Sequence, residues 1–183
     1  IIATLNQYNI DHNTTNYVEE LAIMLDTAFS YPLLDNYALN DFGHKIAELE
    51  FNLQIKQGLA IAGEIANIIG QYWGNDHPFT IASRTLDKIE SGFLVGFIDL
   101  LFEHQGKYWV LDYKTNSLKD YTSPLNIYQA DNMLIESMAE HHYYLQYLLY
   151  LVAIKRYLEY RLQISDASNL LGGAVYFYVR GIY

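Results

Sequence analysis

Residues 92–116 read GFLVGFIDLLFEHQGKYWVLDYKTN, two apolar runs of strand length separated by a Gln-Gly pair. β-branched and aromatic residues crowd both runs, and a glycine at a two-residue turn accepts positive φ without strain. The segment therefore predicts a β-hairpin, with strands over 92–103 and 107–114 and Gln105 and Gly106 at the turn. From Gly92 to Phe102 both faces are apolar, which predicts an internal strand. Asp99 is the only charge in that stretch. A carboxylate there is costly unless it is paired, hydrogen-bonded or bound to a cation.

The second strand alternates. Tyr108, Val110, Asp112 and Lys114 share one face, and Trp109, Leu111 and Tyr113 take the other. Counting back from the turn sets His104 against Lys107, Glu103 against Tyr108 and Asp99 against Asp112. Directly opposed side chains have Cβ atoms about 4.5–5.5 Å apart. Two like charges so placed repel, and a shared divalent cation converts the repulsion into a binding site. Oxygen-only ligands favour Mg²⁺ or Mn²⁺. Lys114 follows Asp112 on the same face, where an ammonium can reach a phosphate or an attacking water. Spacing alone leaves a purely structural pair equally open, because D-x-K is a short pattern and a one-residue slip sends one carboxylate to the opposite face. It also leaves open an acid/base pair of the retaining-glycosidase kind, separated by about 5–5.5 Å, although Lys114 has no place in that chemistry.

Elsewhere, the spacing of Tyr17, Leu21, Met24, Leu25 and Ala28 predicts an amphipathic helix over 14–29, capped by Thr14 or Thr15. Residues 31–42 read as a loop. Alternation over 45–54 predicts a strand with Ala47, Leu49, Phe51 and Leu53 on one face and Glu48 and Glu50 on the other. Helices are expected over 57–73, 126–138 and 143–161, the last apolar nearly all round in its first half and so largely buried. A loop at 74–78 and a final strand at 174–180 complete the pattern.

The net charge of −10 opposes unaided binding of nucleic acid, so a DNA substrate would be delivered from outside this chain. There is no cysteine, which excludes disulfides, thiolate metal sites and a Cys nucleophile, and fits a reducing, cytoplasmic setting. No apolar run reaches membrane-spanning length.

The hairpin segment resembles the nuclease domains of the RecB family, within the PD-(D/E)XK or restriction-endonuclease-like superfamily. KIAELEFNL is similar to that family's glutamate-bearing strand, HHYYLQYLLYLVAIKRYL to its Q-x-x-x-Y helix, and GGAVYFYVRGIY to its closing strand. Together these segments span Lys45 to Tyr183. The resemblance implies an α/β fold with a mixed central sheet flanked by helices. It implies that Asp99 and Asp112 are metal ligands with the backbone carbonyl of Tyr113, that Lys114 is the catalytic lysine, and that Glu48 is the family glutamate near the site. Gln146 and Tyr150 become the Q and Y of the helical motif, contacting DNA or bracing the site. The implied cofactor is Mg²⁺, with Mn²⁺ or Ca²⁺ able to replace it in binding. The implied partners are DNA, chiefly single-stranded, RecC- and RecD-type subunits, and a RecA-type recombinase.

One departure stands out. The family carries a metal-binding histidine on a helix upstream of the glutamate strand, in a run resembling GTFLHSLFE, and no such run is present. His12 lies in the polar stretch YNIDHNTTN and is not assigned that role. The chain is therefore expected to be one nuclease domain, residues 1–183, cut at both ends from a helicase–nuclease and weakened or inactive alone. Iron–sulfur relatives of the Cas4 or AddB kind fit poorly without cysteine.

Overall fold

The computed structural model describes residues 1–13, 16–55, 61–86, 91–118 and 131–182. After a short helix α1 (Ile2–Gln7) come α2 (Tyr17–Ser30), the strands β1 (Pro32–Leu34), β2 (Tyr37–Ala38) and β3 (Lys45–Ile55), then α3 (Ile61–Trp73) and α4 (Pro78–Ser83). The hairpin strands β4 (Gly92–His104) and β5 (Lys107–Lys114) follow, then α5 (Asp131–Glu140), α6 (Tyr143–Leu162) and β6 (Leu171–Tyr178). The main sheet has the order β3-β4-β5-β6. β3, β4 and β5 are antiparallel, and β6 returns parallel to β5 after the two helices. This is the mixed, helix-flanked sheet of the restriction-endonuclease-like fold.

The hairpin forms as its turn chemistry requires. Gln105 and Gly106 both have positive φ, 52° and 75°, the conformation that matches the twist of flanking strands. The register is His104↔Lys107, Glu103↔Tyr108 and onward to Leu100↔Leu111.

Each face of the sheet carries its own core. On one, Ile98, Leu101 and Val110 pack against Tyr150, Ile154 and Leu158 of α6. On the other, Leu100, Phe102, Leu111 and Phe177 pack against Leu39 and Phe42, with Ala28, Leu33 and Leu34 at the margin. A third cluster joins Ile69, Phe79, Ala139 and Tyr144 from α3, α4, α5 and α6.

Several expectations are corrected. Residues 31–42 are not a plain loop: β1 and β2 form a small antiparallel flap over the second core. A short helix, α4, follows the 74–78 loop, entered through Pro78 and capped by the imidazole of His77. α2 starts at Tyr17 with Asn16 at its N-cap, not Thr14 or Thr15, which lie outside the described residues together with residues 57–60 and 126–130. α6 is half-buried rather than largely buried, with Tyr144 and Tyr150 inward and Val152 exposed. The last strand spans 171–178 and ends in a 3-10 turn.

The alternation of β3 is also corrected. Leu49 and Phe51 face α6, but Ala47 pairs with Leu100, which belongs to the opposite core. β4 shows the same switch: Ile98 and Leu101 share one core although regular pleating separates residues three apart. The pleat reverses at Glu48 and Asp99, and Glu48 sits there at a left-handed φ of 53°. A non-glycine residue in that region is uncommon and marks local strain held by the surrounding packing.

Where β6 begins, Gly172 lies under the Trp109 indole, and a Cβ built on it would meet the ring at 2.2 Å. Gly172→Ala is therefore expected to destabilise the fold by about 1–3 kcal/mol through overpacking. A lowered urea midpoint with an unchanged slope would show it.

Candidate active site

The sheet delivers two carboxylates to one end of the β4–β5 pair. The ladder runs to Leu100↔Leu111, and just past it Asp99 Oδ2 accepts the Tyr113 backbone N–H at 2.9 Å. Asp99 thus binds the main chain of the strand that bears Asp112. Across β3 and β4, Ala47↔Leu100 and Leu49↔Ile98 bracket Glu48 and Asp99, so these two backbones face each other at the pleat reversal. Glu48 is exposed, whereas Glu50 pairs with Phe97 further from the site.

Asp112 is only 4% exposed and Lys114 only 8%. The Lys114 ammonium pairs directly with Asp112 Oδ2. It also donates to Gln146 Oε1 at 3.2 Å. Gln146 Nε2 donates to the Tyr150 hydroxyl at 2.6 Å, and that hydroxyl donates to Asp112 Oδ1 at 3.3 Å. Asp112, Lys114, Gln146 and Tyr150 therefore close a ring of side chains. Gln146 and Tyr150 stand four residues apart on α6, one turn, so both reach the sheet from the same helix face. In this arrangement they brace the site.

Two residues that the sequence reading passed over complete the surroundings of the lysine. Its ammonium lies 3.8 Å from the centroid of the Tyr143 ring and 5.1 Å from that of Tyr176. The two rings stack on each other at 5.6 Å. Tyr176 OH donates toward the Tyr143 carbonyl at 2.8 Å and Gln146 Oε1 at 3.1 Å. Cation–π contacts of this kind attract the ammonium to the ring faces. A signal for them existed: Tyr143 precedes Gln146 by one helical turn, and Tyr176 is the parallel partner of Asp112.

Burial pushes the Asp112 carboxyl above the usual aspartate range, and the negative charge of Asp99 adds to the effect, while Lys114 and Tyr150 oppose it. Burial, then the charge of Asp112, raises the Tyr150 and Tyr176 phenols as well. Both stay protonated donors at neutral pH. Among the described residues no group of three or more His, Asp or Glu side chains is gathered as a metal cluster. The oxygen donors the sheet brings to this end are the carboxylates of Asp99 and Asp112.

A mixed sheet carrying Asp99 and Asp112 on its central hairpin with a lysine in step, braced by a Gln and a Tyr one helical turn apart, defines a class: the restriction-endonuclease-like nucleases. The chain belongs to the PD-(D/E)XK nuclease superfamily, whose profile matches residues 19–182. Within it the chain is RecB-like. It is 36% identical over 140 residues to the RecBCD enzyme subunit RecB of Escherichia coli, which covers 76% of this chain and 11% of that protein. The corresponding subunit of Buchnera aphidicola from Acyrthosiphon pisum is 31% identical over 97% of the chain and 14% of its own length. That of Mycolicibacterium smegmatis is 28% identical, with 100% of the chain and 18% of that protein covered. The chain thus spans less than a fifth of the length of these curated relatives.

Proposed function

We propose that this chain is the nuclease domain of a RecBCD-type helicase–nuclease and hydrolyses DNA phosphodiester bonds, chiefly in single strands, in double-strand break repair and DNA degradation. The observation that carries the reading is the closed ring of Asp112, Lys114, Gln146 and Tyr150 beside Asp99 in a chain of this superfamily.

The donor set fits Mg²⁺. All candidate ligands are oxygens, as a hard cation prefers. The carboxylates of Asp99 and Asp112 and the Tyr113 carbonyl would hold it, and its charge would relieve the burial and repulsion that raise the Asp112 pKa. When bound there, Mg²⁺ supplies Lewis acidity to the phosphate and lowers the pKa of water. Lys114 contributes a fixed positive charge toward the reacting phosphate, held by Gln146 and the Tyr143 ring. Tyr150 orients Asp112 through its hydroxyl. Glu48, across from Asp99, adds a carboxylate at the margin of the site. Delivery of the strand belongs to the rest of the assembly, in keeping with the acidic chain.

The alternative is a docking module for RecC- or RecA-type partners. The observation favouring it is an exposed apolar stripe on β4, with Phe93 71% exposed and Val95 and Phe97 each 52%. Calorimetry of the full native polypeptide with Mg²⁺ or Mn²⁺ separates the readings. A nuclease site is expected to bind the cation in wild type and lose it in Asp112→Ala. Wild type and variant giving the same heat would end the catalytic reading.

A further inference from the structure

Beyond the edge of β5, β3 and β4 continue as a two-stranded ribbon, pairing out to Ile55↔Gly92. Between this ribbon and α6 runs a groove of about 300 Å³, lined among others by Phe51, Leu94, Gly96, Leu149, Gln146 and Tyr150. Gln146 and Tyr150 belong at once to the groove wall and to the ring around Asp112. The groove is therefore continuous with the site.

Its construction favours a flat, apolar occupant. The Phe51 ring lies directly over Gly96, where a Cβ would meet it at 2.6 Å. The same ring meets Tyr150 edge to face, with centroids 5.7 Å apart and planes at 78°. An aromatic wall is thus set one residue away from the hydroxyl that orients Asp112. Among the described residues no Lys or Arg lines this groove, and the Lys114 ammonium that reaches Gln146 from behind the wall is already paired with Asp112, so a phosphate does not suit it. A nucleobase does: it is planar and largely apolar on its faces, and stacking on an aromatic ring is tolerant of sequence. Only an unpaired base can leave its own stack to enter.

We propose that this groove holds a nucleobase of single-stranded DNA beside the scissile phosphate, with Phe51 as its stacking partner. The inference rests on the nuclease reading above and deepens it. It gives the domain a grip on single strands that needs no basic residues, and a physical reason to prefer them over duplex.

The test is binding, separated from chemistry by using Ca²⁺. The full native polypeptide is titrated with single-stranded oligonucleotides in which one abasic nucleotide is walked along the strand. One position is expected to weaken affinity by about tenfold, the usual worth of a stacked base. Phe51→Leu is expected to cause a similar loss on the intact strand and no further loss on that abasic strand. Leu94→Trp, which fills the groove from the ribbon beside Phe51, is expected to reproduce the loss. Equal affinity of the wild type for intact and abasic strands overturns the proposal whatever the variants do, as do losses from Phe51→Leu and the abasic site that multiply. Parallel cleavage assays with Mg²⁺ report on the nuclease reading alone, so the two can fail separately.

Discussion

Replacing Lys114 by methionine is expected to lower DNA cleavage by at least about 10²–10³-fold, the scale seen when one fixed charge-stabilising donor is removed from a transition state. Methionine keeps an apolar stem against the Tyr143 and Tyr176 rings that flank the ammonium. Cation binding by Asp99 and Asp112 is expected to survive, because the lysine is not a ligand. The measurement is single-turnover cleavage of a single-stranded oligonucleotide with Mg²⁺ saturating, with calorimetry confirming that the cation still binds. A variant that cleaves at the wild-type rate would remove Lys114 from the chemistry. One that loses cation binding along with activity would show the lysine to be a structural partner of Asp112 instead.

Asp112→Ala is expected to abolish cation binding and cleavage together and to cost about 3–5 kcal/mol of stability in chelator. The stability cost arises because a buried ammonium loses its counter-charge while remaining buried. The double variant with Lys114→Met is then expected to be more stable than Asp112→Ala alone, since neither buried charge remains. Asp99→Asn provides the contrast. It removes the charge that disfavours ionised Asp112 and keeps an acceptor for the Tyr113 N–H. Cation binding is expected to fall without loss of metal-free stability. The pH dependence has a definite sign. A carboxyl raised above its ordinary 3.8 holds its proton to higher pH in the fold than in the unfolded chain. From that value up to the raised one, this group favours folding more as pH falls, the reverse of an ordinary salt-bridged aspartate. Cation affinity falls over the same window, because the cation must displace that proton. Urea midpoints in chelator and titration calorimetry over a pH series from about 4 upward read both effects.

The hairpin was legible because what sets it is local. A Gln-Gly turn between two runs rich in aromatic and aliphatic residues fixes the register by counting, and the ladder follows it from His104↔Lys107 to Leu100↔Leu111. The helix bearing Gln146 and Tyr150 was legible for the same reason, a 3.6-residue period that needs no partner. The pleat reversal at Glu48 and Asp99 was not. Alternation in KIAELEFNL places Ala47 with Leu49, and only the packing of Leu100 and Ile98 into opposite cores shows them apart. The flap of β1 and β2 was missed because two- and three-residue strands carry no periodic signal and gain their stability from covering Phe102 and Leu111.

By itself, then, the sequence determined the long strands and helices, the hairpin register, the placing of Asp112 and Lys114 in step on one strand, and the family to which these belong. These depend on side-chain period and turn conformation, which act over a few residues. The tertiary structure decided which core each face of β3 and β4 joins, that Gln146 and Tyr150 close a ring around Asp112, and that Tyr143 and Tyr176 enclose the Lys114 ammonium. Those contacts bring together residues far apart along the chain, such as Lys114 with Gln146 and Tyr176 with Gln146. Their geometry comes from the docking of α6 and β6 against the sheet, where burial and shape select the arrangement and no local pattern records it.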